Sequence, residues 1–223
     1  MKIEADMHDV EAFLFDLNGT MIHDMPYHIT AWHRILNRFG ANISMEKMKE
    51  ECYGKNHELI DRILPGRFTE EEMTAMSLEK ELTYQQEFKP NLKLIDGLED
   101  FIVESYRQGI KLAIGSAAIM SNIDFVLDGL GIRKYFDAIV SADDVSRSKP
   151  DPETWLKCAE ILHLHPSECL VFEDTPKGAE SAMNAGMKCI IITNLHKKED
   201  FRSYNNVIGY INDFNEISVP ARV

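Results

Sequence analysis

Short apolar runs recur along the chain, each ending in a polar or glycine-bearing turn, with amphipathic stretches between them. The run EAFLFDL over 11–17 stops at Asn18-Gly19, and KLAIGS ends at Ser116. AIVSA around Ile139, ECLVFED ending at Asp174, KCIIIT near Ile191 and VIGYI near Ile208 have the same form. Runs this short, apolar without alternation, read as strands buried on both faces, the habit of a parallel sheet. Helical periodicity fills the gaps at 98–108, 120–130, 152–162 and 176–185. Short strands alternating with helices predict an α/β fold built on a doubly wound parallel sheet.

Residues 25–89 break that alternation, because they carry helical periodicity and no strand. His28, Trp32, Ile35, Leu36 and Phe39 fall on one face of a first helix that Gly40 stops. Pro65-Gly66 separates the middle of this stretch from a charged last helix, TEEEMTAMSLEKELTYQQEF. Thr69 suits its N-cap, and the acids that follow suit the positive end of the helix dipole. Between Thr69 and Phe88 the charges read as a solvated face. The expected organisation is a core domain from 1–24 and 90–223, with a small all-helical cap domain at 25–89 spliced in after the first strand.

Length and charge narrow the class. With 223 residues, 44% of them hydrophobic, the chain can bury a sizeable core. A formal net charge of -13 and no basic run longer than a pair argue against nucleic acid or anionic membrane as a partner. The acids in MKIEADMHDVEAF do not resemble a secretory signal, and no segment is apolar enough to span a bilayer, so a cytoplasmic protein is expected; a monomer is the expected state. Cys52, Cys158, Cys169 and Cys189 show no CxxC spacing, which predicts buried reduced thiols rather than a zinc site or redox pair. The eleven methionines read as core filler.

Four polar clusters follow four of the strands, where open parallel sheets place their ligands. They are Asp16 in FDLNGT, Ser116 after KLAIG, Lys149 in RSKPDP, and Glu173-Asp174 in FEDTPKGAESA. A strand-end carboxylate such as Asp16 can attack phosphorus. Asp16 and Asp174 together can hold Mg²⁺, a hard cation that prefers oxygen and offsets charge as a phosphoryl group moves. Ser116 can donate to a phosphoryl oxygen, and Lys149 can set a compact positive charge beside it. Gly19 and Thr20 add backbone N–H groups and a hydroxyl. Each residue also has a blander reading: Asp16 capping a turn, Asp174 or Ser116 capping a helix, Lys149 a solvated loop lysine, Glu173 a structural acid, His28 a satisfied core histidine.

Together, FDLNGT, the serine after KLAIG, SKPDPE and VFEDTPKGAESAMNAG resemble the four motifs of the haloacid dehalogenase superfamily, in order and across nearly the whole chain. The helical insert and the run MPYHITAWHRIL resemble the β-phosphoglucomutase-like branch, which includes sugar phosphatases. That resemblance implies Asp16 as nucleophile and metal ligand, the backbone carbonyl of Asn18 as a second ligand and Asp174 as a third, with Glu173 beside them. It implies a phosphoryl group bound by Ser116, Ala117 and Lys149 next to Gly19 and Thr20, and His28 assisting acid–base chemistry from the hinge. In the mutase branch a cap arginine holds a second phosphate; CYGKNHELI here places His57 near that position, with Lys55 and Asn56 just before it. These three are the expected contacts to the rest of a substrate carrying one phosphate.

The family's first motif usually has aspartate two residues after the nucleophile, and here that position is Asn18. An amide keeps the shape and the carbonyl but cannot shuttle a proton, and the loss of general acid–base help typically costs about 10² to 10⁴ in rate. Three readings stand: a substitution engineered to trap a complex, a natural enzyme using another group such as His23 or Asp24, or a natural protein that binds phosphorylated ligands without turnover. The expected function is a Mg²⁺-dependent phosphatase of small phosphate esters, sugar phosphates foremost, acting through an aspartyl-phosphate on Asp16. The alternatives are a β-phosphoglucomutase-type phosphomutase and a silent phospho-ligand-binding protein. A signalling receiver domain uses a similar aspartate, Mg²⁺, hydroxyl and lysine, but needs neither the helical insert nor a chain this long.

Overall fold

The computed structural model describes Met7 and residues 9–221. Much of the N-terminal stretch read above for a secretory signal therefore lies outside the described residues. The chain divides into two compact units, one of Met1–His23 with Lys93–Val223 and one of Asp24–Leu92.

Among the described residues the first unit holds six strands: β1 (Ala12–Phe15), β2 (Lys111–Gly115), β3 (Ala138–Val140), β4 (Cys169–Glu173), β5 (Lys188–Ile192) and β6 (Val207–Ile211). They pair in the order β3-β2-β1-β4-β5-β6, all parallel, so the α/β doubly wound sheet expected from the strand and helix alternation is the fold observed. Strand order reverses at β1, and the crevice outside the carboxyl ends at such a reversal is where open sheets bind ligands.

Phe13 and Phe15 point to one face of the sheet, where Phe15 stacks on Phe172 at 4.9 Å and Phe13 on Phe101 at 5.2 Å, with Phe214 closing the cluster. Ala12 and Leu14 point to the other, into a core shared with Trp155, Cys158, Ala179 and Ile191. Among the described residues this unit has four α-helices, Leu98–Arg107, Met120–Leu130, Glu153–Leu162 and Pro176–Asn184, within a residue of the periodic stretches. The second unit contains only helices, α1 (Met25–Arg38), α2 (Met45–Glu51), α3 (Asn56–Ile63) and α4 (Glu70–Phe88), so the four of the first unit become α5 to α8. Its core is Ile29, Trp32, Ile35 and Leu36 of α1 against Met48, Leu59, Ile60, Met73 and Met76.

Two expectations need correcting. The helix after Thr69 is not a wholly solvated face: Lys80, Glu81 and Tyr84 are buried together with Met73 and Met76. Lys80 and Glu81 tolerate burial because the ammonium donates to both carboxylate oxygens, at 3.0 and 2.9 Å. The four cysteines are all free, but Cys52 is only half-buried while the others are buried. Burial pushes the Cys158 thiol up to about 12. Among the described residues, no helix is long and apolar enough to cross a membrane.

Candidate active site

Asp16 is the first residue beyond β1. Its backbone N–H still donates to Phe172 of β4 at 3.0 Å, so the ladder carries the side chain to the sheet's carboxyl edge before the chain turns away. The turn is tight: Gly19 N–H donates to Ile22 at 2.9 Å, and Met21 N–H to Leu17 at 2.9 Å. Gly19 has φ +83°, which a side chain would strain, and an added Cβ would stand 2.1 Å from Asp174 Oδ2. A glycine is thus what lets the turn after β1 pass against the carboxylate that follows β4. From beyond β5, Asn194 donates to the Gly19 carbonyl at 2.8 Å and pins the same turn.

Asp16, Glu173 and Asp174, all buried, each offer a carboxylate oxygen within 4.8 Å of the others. Lys149, whose side chain is 8% exposed, donates to Asp16 Oδ1 at 2.7 Å, to Glu173 Oε1 at 2.7 Å and to the Gly115 carbonyl at 3.0 Å. Burial alone would lower its pKa, but the charges of Asp16 and Glu173 reverse that and raise it, so Lys149 is a cation at neutral pH. Three carboxylates (−3) and one ammonium (+1) leave a formal charge of −2. An all-oxygen donor set with that excess fits a hard divalent cation such as Mg²⁺. Glu173 is differently engaged from the two aspartates: its Oε2 accepts from Asp174 N–H at 2.9 Å and from the Thr175 N–H and hydroxyl at 3.0 Å each. It therefore holds Lys149 and the turn after β4 at once.

A family model for haloacid dehalogenase-like hydrolases matches residues 13–192. The chain belongs to that family. It is similar to the fructose-1-phosphate phosphatase of Escherichia coli, 29% identical over 79% of this chain and 93% of the relative. It is also similar to a phosphorylated-carbohydrates phosphatase of Thermotoga maritima, 28% identical over 81% of this chain and 84% of the relative. Among solved structures, β-phosphoglucomutase from Clostridium difficile superposes with a TM-score of 0.82 at 28% identity, covering 94% of this chain and 93% of that one.

The hydrolase brings Asp16, Lys149, Glu173 and Asp174 together at one edge of its sheet. Ser116 follows β2 at the same edge, its N–H donating to Val140 at 2.9 Å and its hydroxyl accepting from Ala118 N–H at 3.1 Å. Ile119 stands at the N-cap position of α6, and Thr175, whose hydroxyl accepts from the Gly178 N–H, at that of α8. Asn18 lies half-buried in the turn, Thr20 is fully buried, and Ala117 is half-buried. His23 is exposed.

Within the helical unit, His28 is part of a buried polar chain. Lys80 Nζ stands 2.6 Å from its Nδ1, Asp24 Oδ2 3.2 Å from its Nε2, and the Tyr84 hydroxyl donates to Asp24 at 2.6 Å. An ammonium donating to Nδ1 assigns the imidazole proton to Nε2, where it faces Asp24. Burial and the Asp24 charge hold the Tyr84 hydroxyl well above its usual pKa. Asn56 donates to Glu81 at 2.8 Å and so joins the same chain. His57 is bound at both ring nitrogens by α4, to Glu70 at 2.9 Å and Thr74 at 3.3 Å. Lys55 precedes α3 and is half-exposed.

Sequence reasoning missed Asn194, Lys80, Glu81 and Tyr84. A polar residue just past β5 was a usable signal for Asn194. Nothing in the local pattern of α4 separates Lys80 and Glu81 from the exposed charges around them.

Proposed function

We propose that this hydrolase is a Mg²⁺-dependent phosphatase of small phosphate esters, sugar phosphates foremost. The observation that carries the reading is Asp16 set beside Asp174 and bonded to the buried Lys149 ammonium at the point where strand order reverses. Asp16 attacks phosphorus and takes the phosphoryl group from the ester oxygen, and water then releases phosphate from the aspartyl-phosphate. Asp16, Asp174 and the carbonyl of Asn18 would hold the ion, which supplies charge compensation for the moving phosphoryl group. Lys149 and Ser116 orient the phosphoryl oxygens, with Ala117, Gly19 and Thr20 beside them. Residues 25–89 act as a cap that selects the leaving group through Lys55, Asn56 and His57, with His28 supporting the acid–base position. The similarity to phosphatases of fructose 1-phosphate and phosphorylated carbohydrates supports a sugar phosphate. Free cysteines support a reducing, cytoplasmic location, and we take the protein to act as a monomer.

Asn18 cannot protonate the departing ester oxygen, so Asn18→Asp should raise Mg²⁺-dependent phosphate release from a sugar-phosphate panel by about 10² to 10⁴. A variant that binds Mg²⁺ yet releases nothing overturns turnover and leaves a phospho-ligand-binding protein. The likeness to β-phosphoglucomutase favours a second reading, a phosphomutase, which conversion of a hexose phosphate without net release would identify.

A further inference from the structure

The three hydrogens of the Lys149 ammonium already have acceptors in Asp16, Glu173 and the Gly115 carbonyl. A phosphoryl oxygen can be bound by Lys149 only if one of those hydrogens is shared or redirected. During that exchange Glu173 and the Gly115 carbonyl still hold the ammonium, and a contact that uses no hydrogen would add to them.

Trp155, in the first turns of α7, has that geometry. It is fully buried, and Lys149 Nζ lies 4.2 Å from its ring centroid, so the negative face of the indole meets the cation. Gly115, the last residue of β2, makes the approach possible: a Cβ there would lie 2.6 Å from Cζ3 and 2.8 Å from Cε3 of the indole. The absence of a side chain at Gly115 thus admits the ring, while the carbonyl of the same residue accepts from the ammonium. The loop carrying Lys149 is closed beneath it by Glu153, which accepts from the N–H groups of Ser146 and Arg147 at 2.9 and 3.0 Å.

We propose that Trp155 is a positioning residue of the phosphoryl site, its indole face holding the Lys149 ammonium in place while one hydrogen bond passes from Asp16 to a phosphoryl oxygen. This rests on the phosphatase reading, because it assumes that Lys149 serves phosphate.

The test compares binding of inorganic phosphate, in the presence of Mg²⁺, by the unsubstituted protein, Trp155→Phe and Trp155→Leu, using calorimetry. Trp155→Leu should weaken phosphate binding about tenfold, as expected for losing a desolvated cation–ring contact, while Mg²⁺ affinity stays within about twofold. Trp155→Phe, which keeps a ring face, should stay within about threefold of the unsubstituted protein. Only Trp32 and Trp155 fluoresce as indoles, so in a Trp32→Phe background the emission of Trp155 should change saturably with phosphate, at the calorimetric midpoint. Trp155→Leu binding phosphate with unchanged affinity, losing Mg²⁺ and phosphate in equal measure, or a Trp155 emission that phosphate does not move would each overturn the proposal alone. The emission measurement needs no substitution at Trp155, so it decides even where the leucine variant does not fold. Absence of phosphate binding by the unsubstituted protein with Mg²⁺ bound would overturn the phosphatase reading along with it.

Discussion

Gly19→Ala tests whether the carboxylate after β4 and the turn after β1 act as one metal-binding device. The substitution has two separable costs. At φ +83° an alanine is in the left-handed region, a penalty of about 1–2 kcal/mol, which for a chain of this length lowers Tm by about 2–8 °C. The second cost falls on Asp174. The new Cβ would stand 2.1 Å from Oδ2, whereas real Cβ contacts essentially never fall below 3.0 Å, so the carboxylate or the turn must give by about 1 Å. Functional constellations tolerate only about 0.5 Å of displacement, and 1 Å costs on the order of 10²-fold. Mg²⁺ affinity, read by isothermal titration calorimetry, should therefore fall about 10- to 100-fold, far more than the drop in Tm alone would bring. Gly19→Ala binding Mg²⁺ as tightly as the unsubstituted protein, at whatever Tm, would refute the assignment of Asp174 to the ion.

Lys80→Met removes the ammonium from Glu81 and from His28 and should cost about 3–5 kcal/mol within the helical unit; hydrogen exchange should speed up in α1, α3 and α4, and unchanged protection in α4 would refute this. Glu153 is held down to a pKa of about 2 by the Ser146 and Arg147 amides, with Lys157 assisting. Because its folded pKa lies below the ordinary 4.5, its contribution is complete above that value and is lost as pH falls toward about 2. The amide resonances of residues 146 and 147 should accordingly titrate near pH 2, and a midpoint near 4.5 would contradict the hydrogen bonds. Thr69→Ala opens the capping box with Glu72, bonded at 2.8 and 3.3 Å, and should lower stability by about 1 kcal/mol in thermal denaturation.

The sheet was readable because a strand buried on both faces is apolar at every position, and all six runs became strands. Boundaries slipped where the chain begins a turn while still looking apolar: the run over 11–17 yields only Ala12–Phe15, since Leu17 accepts the turn's hydrogen bonds instead of a ladder partner's. The charges of α4 were misread because helical periodicity locates a stripe but does not reveal that Lys80 and Glu81 neutralise each other inside it.

From sequence alone came the α/β alternation, the helical insert and the four polar clusters at strand ends, because each is encoded in residues near one another along the chain. Only tertiary structure decided that β1 lies between β2 and β4, and that Lys149 reaches Asp16 across 133 positions. It alone divided the acids after β4, Glu173 turned to the lysine and the backbone amides, Asp174 set against Gly19. Those facts depend on which distant groups compete for the same hydrogens and the same space, and that competition exists only once the strands have paired.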